Sequence, residues 1–157
     1  MLVGKNILLR GLLDLDIDFL YSIENDKSLW KFGSENTYLD RSSLENYIGN
    51  AQQDIVKSKQ FRFVIQHQET PIGFIDLFDY SESSAGIGVI IIDKYRNRGF
   101  GRESLSLLVN YSRDVLKLNE LFCNIQEDNK RSISFFSSFG FNKINSIDNL
   151  SHYRLKI

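Results

Sequence analysis

Val89-Ile90-Ile91-Ile92-Asp93-Lys94-Tyr95-Arg96-Asn97-Arg98-Gly99-Phe100-Gly101-Arg102-Glu103 decides how this chain is read. An apolar run with strand character gives way to a basic turn holding two glycines, and an amphipathic stretch follows. Beyond Gly101, Leu105, Leu108, Val109, Ser112, Val115 and Leu116 recur at helical spacing. A strand, a glycine turn and a helix start together make a cradle for a pyrophosphate. The first N–H groups of a helix have no internal acceptor, and the helix dipole favours an anion beside them. Gly99 and Gly101 carry no side chain to keep a phosphate at a distance. Arg96, Arg98 and Arg102 surround the turn with positive charge.

Several cradles share this outline. A P-loop needs Gly-x-x-x-x-Gly-Lys-Ser/Thr, and no lysine follows either glycine here. A dinucleotide fold needs Gly-x-Gly-x-x-Gly, but Ser104 stands at the third glycine and the motif sits mid-chain. A plain glycine turn beside solvated arginines remains the alternative to a binding loop.

Upstream, Ile7 to Arg10 reads as a short strand. Asp14 is a plausible N-cap for a helix with Leu15, Phe19, Leu20 and Ile23 on one face. Leu29 to Asp40 is irregular and holds Trp30, Phe32, Glu35 and Tyr38. A second helix starts near Ser42 or Ser43, with Leu44, Tyr47, Ile48 and Ala51 along one side. Phe61–Ile65, Ile72–Tyr80 and Ala85–Ile92 read as strands joined by short turns, an antiparallel meander.

Downstream of the long helix come a strand at Leu121–Ile125, a short helix at Asn129–Ser138 stopped by Gly140, and closing strands at Phe141–Ile147 and His152–Ile157. The order is β-α-α-β-β-β-α-β-α-β-β, an α+β fold with a central mixed sheet flanked by helices. The strands on either side of the long helix should be parallel neighbours joined by a right-handed crossover. No linker or repeat interrupts residues 1–157, which read as one domain.

The bulk numbers agree with a soluble globular chain: 42% apolar and 25% charged residues. A net charge of −1 points away from nucleic acid. No apolar run approaches the ~20 residues of a membrane span, and Met1 to Asn6 lacks a signal-peptide layout. A lone cysteine, Cys123, makes no internal disulfide, so a reducing, cytoplasmic setting is expected. Two histidines and one cysteine show no metal-ligand spacing. His67 and His152 read as strand-end residues rather than bases, and Cys123 as a buried strand residue rather than an acyl carrier.

Arg96-Asn97-Arg98-Gly99-Phe100-Gly101 resembles the Arg/Gln-x-x-Gly-x-Gly/Ala acetyl-CoA loop of the GNAT family of N-acetyltransferases. A second segment, Asn129 to Phe141, is similar to that family's other acetyl-CoA segment, which opens with Asn and closes with Gly-Phe. Leu9-Arg10-Gly11-Leu12, Glu24-Asn25-Asp26, Trp30 and Pro71-Ile72-Gly73-Phe74-Ile75-Asp76-Leu77 resemble the branch containing spermidine and ribosomal-protein acetyltransferases. The resemblance runs over nearly the whole chain.

It implies acetyl-CoA as co-substrate, held along Val89, Ile90 and Ile91 by its pantetheine arm. The backbone from Arg98 to Arg102 would hold its pyrophosphate, and Asn129 would bond the pantetheine. Asp76 and Glu35 match acidic positions near the acceptor and are the candidate catalytic residues, to hold the ammonium or to take its proton through water, with Glu24, Asp26 and Asp79 able to deepen the same acidic site. The acceptor implied is a polyamine or another small cationic amine, with a protein N-terminus, or acetyl-CoA binding with little catalysis, as alternatives. A homodimer is usual among similar proteins. One position departs from the family: Phe136 stands where a tyrosine usually protonates the departing thiolate. Phenylalanine has no proton to give, so Phe136 is expected to pack against the cofactor, with the general acid unassigned.

Overall fold

Residues 1–29 and 37–157 are described by the structure, a computed structural model. In chain order they form β1 (Leu2–Val3), β2 (Leu8–Gly11), α1 (Ile17–Glu24), α2 (Arg41–Asn50), α3 (Ile55–Ser58), β3 (Phe61–His67), β4 (Thr70–Phe78) and β5 (Ser84–Ile91). Then follow α4 (Phe100–Asp114), β6 (Glu120–Gln126), α5 (Lys130–Phe139), β7 (Asn142–Ile147) and β8 (Leu150–Lys156). The strands make one mixed sheet in the order β1-β2-β3-β4-β5-β6-β8-β7. Every neighbouring pair is antiparallel except β5 with β6, the pair joined through α4.

Alternation along β3 and β4 builds two cores, one on each face of the sheet. Ile65, Ile75, Leu77, Ile87 and Leu121 pack with Leu105, Leu108 and Val109 of α4 and with Phe136 of α5. Val64 and Phe74 point the other way, into a cluster with Leu20 and Ile23 of α1 and Leu44 and Ile48 of α2. Leu105 and Leu108 are wholly buried; each contributes about 1.5–3 kcal/mol of apolar burial before chain entropy is set against it.

The parallel pair decides the shape of the molecule's middle. Its register holds only from Ser84↔Glu120 through Gly86↔Phe122. Both strands continue, β5 to Ile91 and β6 to Gln126, without further pairing between them. A gap therefore opens in the sheet between the second halves of β5 and β6. Beside its closed end, the Phe78 ring lies across Gly86, where an added Cβ would sit 2.2 Å from ring carbon.

Some expectations shift. β1 and α3 are two- and four-residue elements, too short to show a period. α2 begins at Arg41, because Asp40 is its cap and accepts the Ser43 N–H. α4 ends at Asp114, so Val115, counted in the apolar stripe, is 62% exposed. β4 starts at Thr70, two residues before the expected Ile72, so Pro71 lies inside it, where a register shift at Ile65/Gln66 accommodates it. Trp30, Phe32 and Glu35 lie outside the described residues.

Candidate active site

The glycine turn is built as a helix entrance. Gly99 takes φ +86°, a left-handed conformation that favours glycine, and stands as the N-cap of α4. A Cβ there would meet nothing within 4 Å, so the backbone faces open ground. The first bond closing the helix runs from Glu103 N–H to the Gly99 carbonyl. The N–H groups of Phe100, Gly101 and Arg102 precede it and point out of the helix start. This arrangement fits the pyrophosphate of a CoA molecule.

The arginines divide the work. Arg96 donates through Nε to the Ile91 carbonyl at 2.7 Å and through Nη1 to Asp93. It braces the loop against the end of β5, and its guanidinium is already engaged. Arg98 lies over the rings of Tyr95 and Phe100, at 5.5 and 5.1 Å. Arg102 lies 5.4 Å from the Phe139 ring, linking α4 to α5. Asn97 supplies the other left-handed residue of the turn, at φ 59°. Phe100 itself is buried against His67, ring to ring at 4.5 Å, so only its backbone is available to a ligand.

Val89, Ile90 and Ile91 pair with β4 along one edge, opposite Ile75, Phe74 and Gly73. Their other edge borders the gap, where β6 no longer pairs. Backbone groups on that edge can bond an extended pantetheine much as another strand would. Asn129 caps α5, its Oδ1 accepting the Ser132 N–H at 3.3 Å. Phe136 is 5% exposed and packs on Phe135 and Phe141, with ring centroids 5.1 and 5.2 Å away. It is a core residue first.

On the α1/α2 side of the sheet lies an acidic group organised by a residue the sequence reading passed over. Arg62 and Asp76 are register partners on β3 and β4. Arg62 donates through Nε and Nη2 to the two Asp76 oxygens, both at 2.8 Å, and through Nη1 to Glu24 Oε1 at 2.5 Å. The rings of Phe74 and Tyr47 flank the guanidinium at 5.1 and 5.7 Å. Burial works against its charge, but the adjacent Asp76 outweighs burial and holds its pKa above the usual arginine value. Two carboxylates against one guanidinium leave the group net acidic. Small cavities of about 90 and 50 Å³ adjoin it, sharing Tyr47, Phe61 and Arg62 as lining, and Asp76 borders the smaller.

Glu24 thus joins Asp76 as expected. Asp26 instead bonds Ser28, and Asp79 sits exposed in a turn at φ 47°. Arg62 had a signal: a basic residue in an alternating, half-buried strand calls for an acidic neighbour across the sheet.

Cys123 lies 4% exposed on β6, and burial pushes its thiol up to about 12. A protonated, inaccessible thiol is no nucleophile. His67 ends β3, as expected, with Nδ1 bonded to the Asn6 carbonyl. His152 does not end a strand. It lies inside β8, opposite Asn124 of β6. Among the described residues, no cluster of His, Cys, Asp and Glu could hold a metal ion, and no helix is long and apolar enough to cross a membrane.

A helix-start cradle, a gap between two parallel strands and an acidic group beside it define an acyl-CoA transferase site. Residues 6–142 match the family model described as Acetyltransferase (GNAT) domain, and the chain belongs to that family. It is an N-acetyltransferase, and acetyl-CoA is its co-substrate.

Among relatives, it is 23% identical over 142 residues to spermidine N(1)-acetyltransferase of Vibrio cholerae, covering 88% of this chain and 80% of that one. It is 24% identical to the uncharacterized N-acetyltransferase p20 of Bacillus licheniformis, covering 90% and 82%. The crystal structure of spermidine N-acetyltransferase from Vibrio cholerae with CoA and spermine superposes with a TM-score of 0.86, at 20% identity, over 98% of this chain and 96% of that one. Apo FdhC, a nucleotide-linked sugar GNAT, superposes at 0.83, with 22% identity over 99% and 89%. The fold is common to both, so the fold does not choose the acceptor.

Proposed function

We propose that this protein, residues 1–157 acting as one catalytic domain, transfers the acetyl group of acetyl-CoA directly to a small cationic primary amine, a polyamine among the candidates. The observation that carries the choice of acceptor is the Glu24–Arg62–Asp76 group: net acidic, half-buried and set beside the gap between β5 and β6. Similarity to a spermidine N(1)-acetyltransferase supports the same choice. Direct transfer follows from the buried Cys123 thiol, which leaves the chain's only cysteine unable to carry the acetyl group.

In this reading the helix start from Gly99 to Arg102 holds the pyrophosphate, the free edge of Val89, Ile90 and Ile91 guides the pantetheine, and Asn129 and Phe136 border it. Asp76 draws the ammonium toward the gap, and Glu35 contributes from the preceding segment. Holding amine and thioester side by side supplies much of the rate. A free thiol of the cysteine type has a pKa of ~8.5, so a thiolate is a tolerable leaving group near neutral pH without a dedicated acid. A homodimer belongs to this proposal as well, and sedimentation of the purified chain tests it.

The experiment is release of free thiol from acetyl-CoA with diamines, polyamines, amino sugars and peptides as acceptors. Polyamines and diamines should react fastest. Release with peptides alone would favour a protein N-terminus as acceptor and overturn the small-amine reading.

A further inference from the structure

The gap between β5 and β6 has two banks. On the α1/α2 face, Asp76 lies on one bank, opposite Gly88 of β5. On the other bank the same face carries Phe122 and Asn124 of β6, and beyond them His152 of β8. That these side chains share one face is shown by an aromatic row. Phe78 meets Phe122 with centroids 5.9 Å apart, and Phe122 meets His152 at 5.7 Å. Gly86 and Gly88 put no side chain between the banks.

His152 is oriented for a definite protonation pattern. Its Nδ1 lies 2.7 Å from Asn124 Oδ1. An amide oxygen can only accept, so Nδ1 carries the hydrogen. In the neutral ring Nε2 then keeps its lone pair, available as a proton acceptor. Among the described residues, Arg154, two residues along β8, is paired with Glu120 of β6, and the register neighbour of His152 on β7 is Asn145. Asp76 is held by Arg62, Cys123 is buried, and Phe136 has no proton.

We infer that His152 is the general base of the acetyl transfer, taking a proton through Nε2 from the acceptor ammonium, with Asn124 as its positioning residue. The inference rests on the small-amine reading above. The ammonium R–NH₃⁺ gives one proton to Nε2. The freed nitrogen lone pair forms the C–N bond, the C–S bond breaks, and sulfur leaves with the bonding pair. The second nitrogen proton, shed as the amide forms, neutralises the thiolate. The products are amide, free thiol and imidazolium, and the balance is closed. The step answers a real need: an alkylamine of pKa ~10.4 is about one part in 10³ neutral at pH 7.

Two measurements test it. The first is the pH profile of kcat/KM for His152→Gln with a strongly basic and a weakly basic amine. Loss of a general base should slow the basic amine by about 10²-fold and remove the rising limb of its profile. The weakly basic amine, which arrives neutral, should slow far less. Equal losses for both amines, or none, would overturn the assignment. Asn124→Ala should shift the limb without abolishing it, while acetyl-CoA still raises the melting temperature of both variants. The second measurement needs no turnover: long-range ¹⁵N–¹H spectra of the imidazole. His152 should appear as the Nδ1-protonated tautomer, and an Nε2-protonated ring would refute the inference. If no amine reacts but this tautomer is seen, the small-amine reading fails while the orientation of His152 stands.

Discussion

Arg62 grips Asp76 from the neighbouring strand with two parallel hydrogen bonds of 2.8 Å while its third donor reaches Glu24. The geometry explains how an acidic pair survives half-buried. It also limits Asp76, which meets an incoming amine as a carboxylate already shared. Replacing Arg62 by leucine leaves two carboxylates crowded together without a cation, a change that costs about 3–5 kcal/mol for a buried pair. Urea denaturation of Arg62→Leu should show a loss near the lower end, since the group retains some solvent contact. Asp76→Asn should be milder in stability but should raise KM for the amine and leave acetyl-CoA binding unchanged. An unaltered KM would remove Asp76 from the acceptor site.

Gly99 separates folding from binding. At φ +86° any other residue is strained, by about 1–2 kcal/mol. The new methyl would meet no protein atom within 4 Å, so it would fill space left open beside the helix start. Gly99→Ala should therefore lower the melting temperature modestly, yet largely abolish the stabilisation that acetyl-CoA confers. Equal stabilisation of parent and variant would place the pyrophosphate elsewhere.

Cys123 makes a pH prediction. Burial pushes its thiol from the ordinary ~8.5 up to about 12. A raised folded value means its contribution to stability is complete below the unfolded pKa and is lost as pH rises toward the folded one. The native protein should resist a thiol reagent at pH 8 and react on unfolding. Cys123→Val should reduce the fall in stability between pH 9 and 11; rapid labelling of the native protein would contradict the burial.

Glu103 works at the acid end. Burial disfavours its charge, but the Asn6 backbone N–H at 2.8 Å, the Asn6 side chain and neighbouring backbone groups prevail and lower its pKa. A lowered folded value gives stability that is present above the ordinary ~4.3 and lost as pH falls through the folded value. Glu103→Gln should flatten the acid limb of a stability–pH curve. It should also loosen the turn between β1 and β2, measurable as faster amide exchange at Asn6.

How much of this was legible in the chain depends on how far apart the partners lie. The long helix announced itself because Leu105, Leu108 and Val109 repeat within one element, and the parallel crossover followed from its flanking strands. The glycine turn was equally local. Two residues of the acidic group, Glu24 and Asp76, were reached through the family resemblance rather than through any local pattern. Arg62, which decides how those carboxylates behave, sits 14 residues from Asp76 and 38 from Glu24, and its role exists only once β3 and β4 pair in register. His152, expected at a strand end, lies inside β8 for the same reason. No local pattern says that β8 inserts between β6 and β7, yet that insertion is what brings it beside Asn124. Arg96 shows what a charge count leaves out: its Nε also ties the loop to the end of β5 through the Ile91 carbonyl.

Phe136→Tyr asks whether the missing acid matters. The ring it replaces lies among Phe135 and Phe141, at 5% exposure. A hydroxyl added there either stays in the core without a partner, at a cost of about 1–3 kcal/mol, or turns toward the gap, where departing sulfur could use its proton. The two outcomes separate cleanly. In the first, the melting temperature falls and turnover is unchanged. In the second, stability is nearly kept, and turnover rises or its descending alkaline limb moves. We expect the second in the presence of acetyl-CoA, because the gap beside β5 has no strand to close it. Thiol release measured across pH, with melting curves on the same samples, decides the matter. A variant that loses stability without any change in rate or profile would show that Phe136 serves packing alone and that the thiolate leaves unaided.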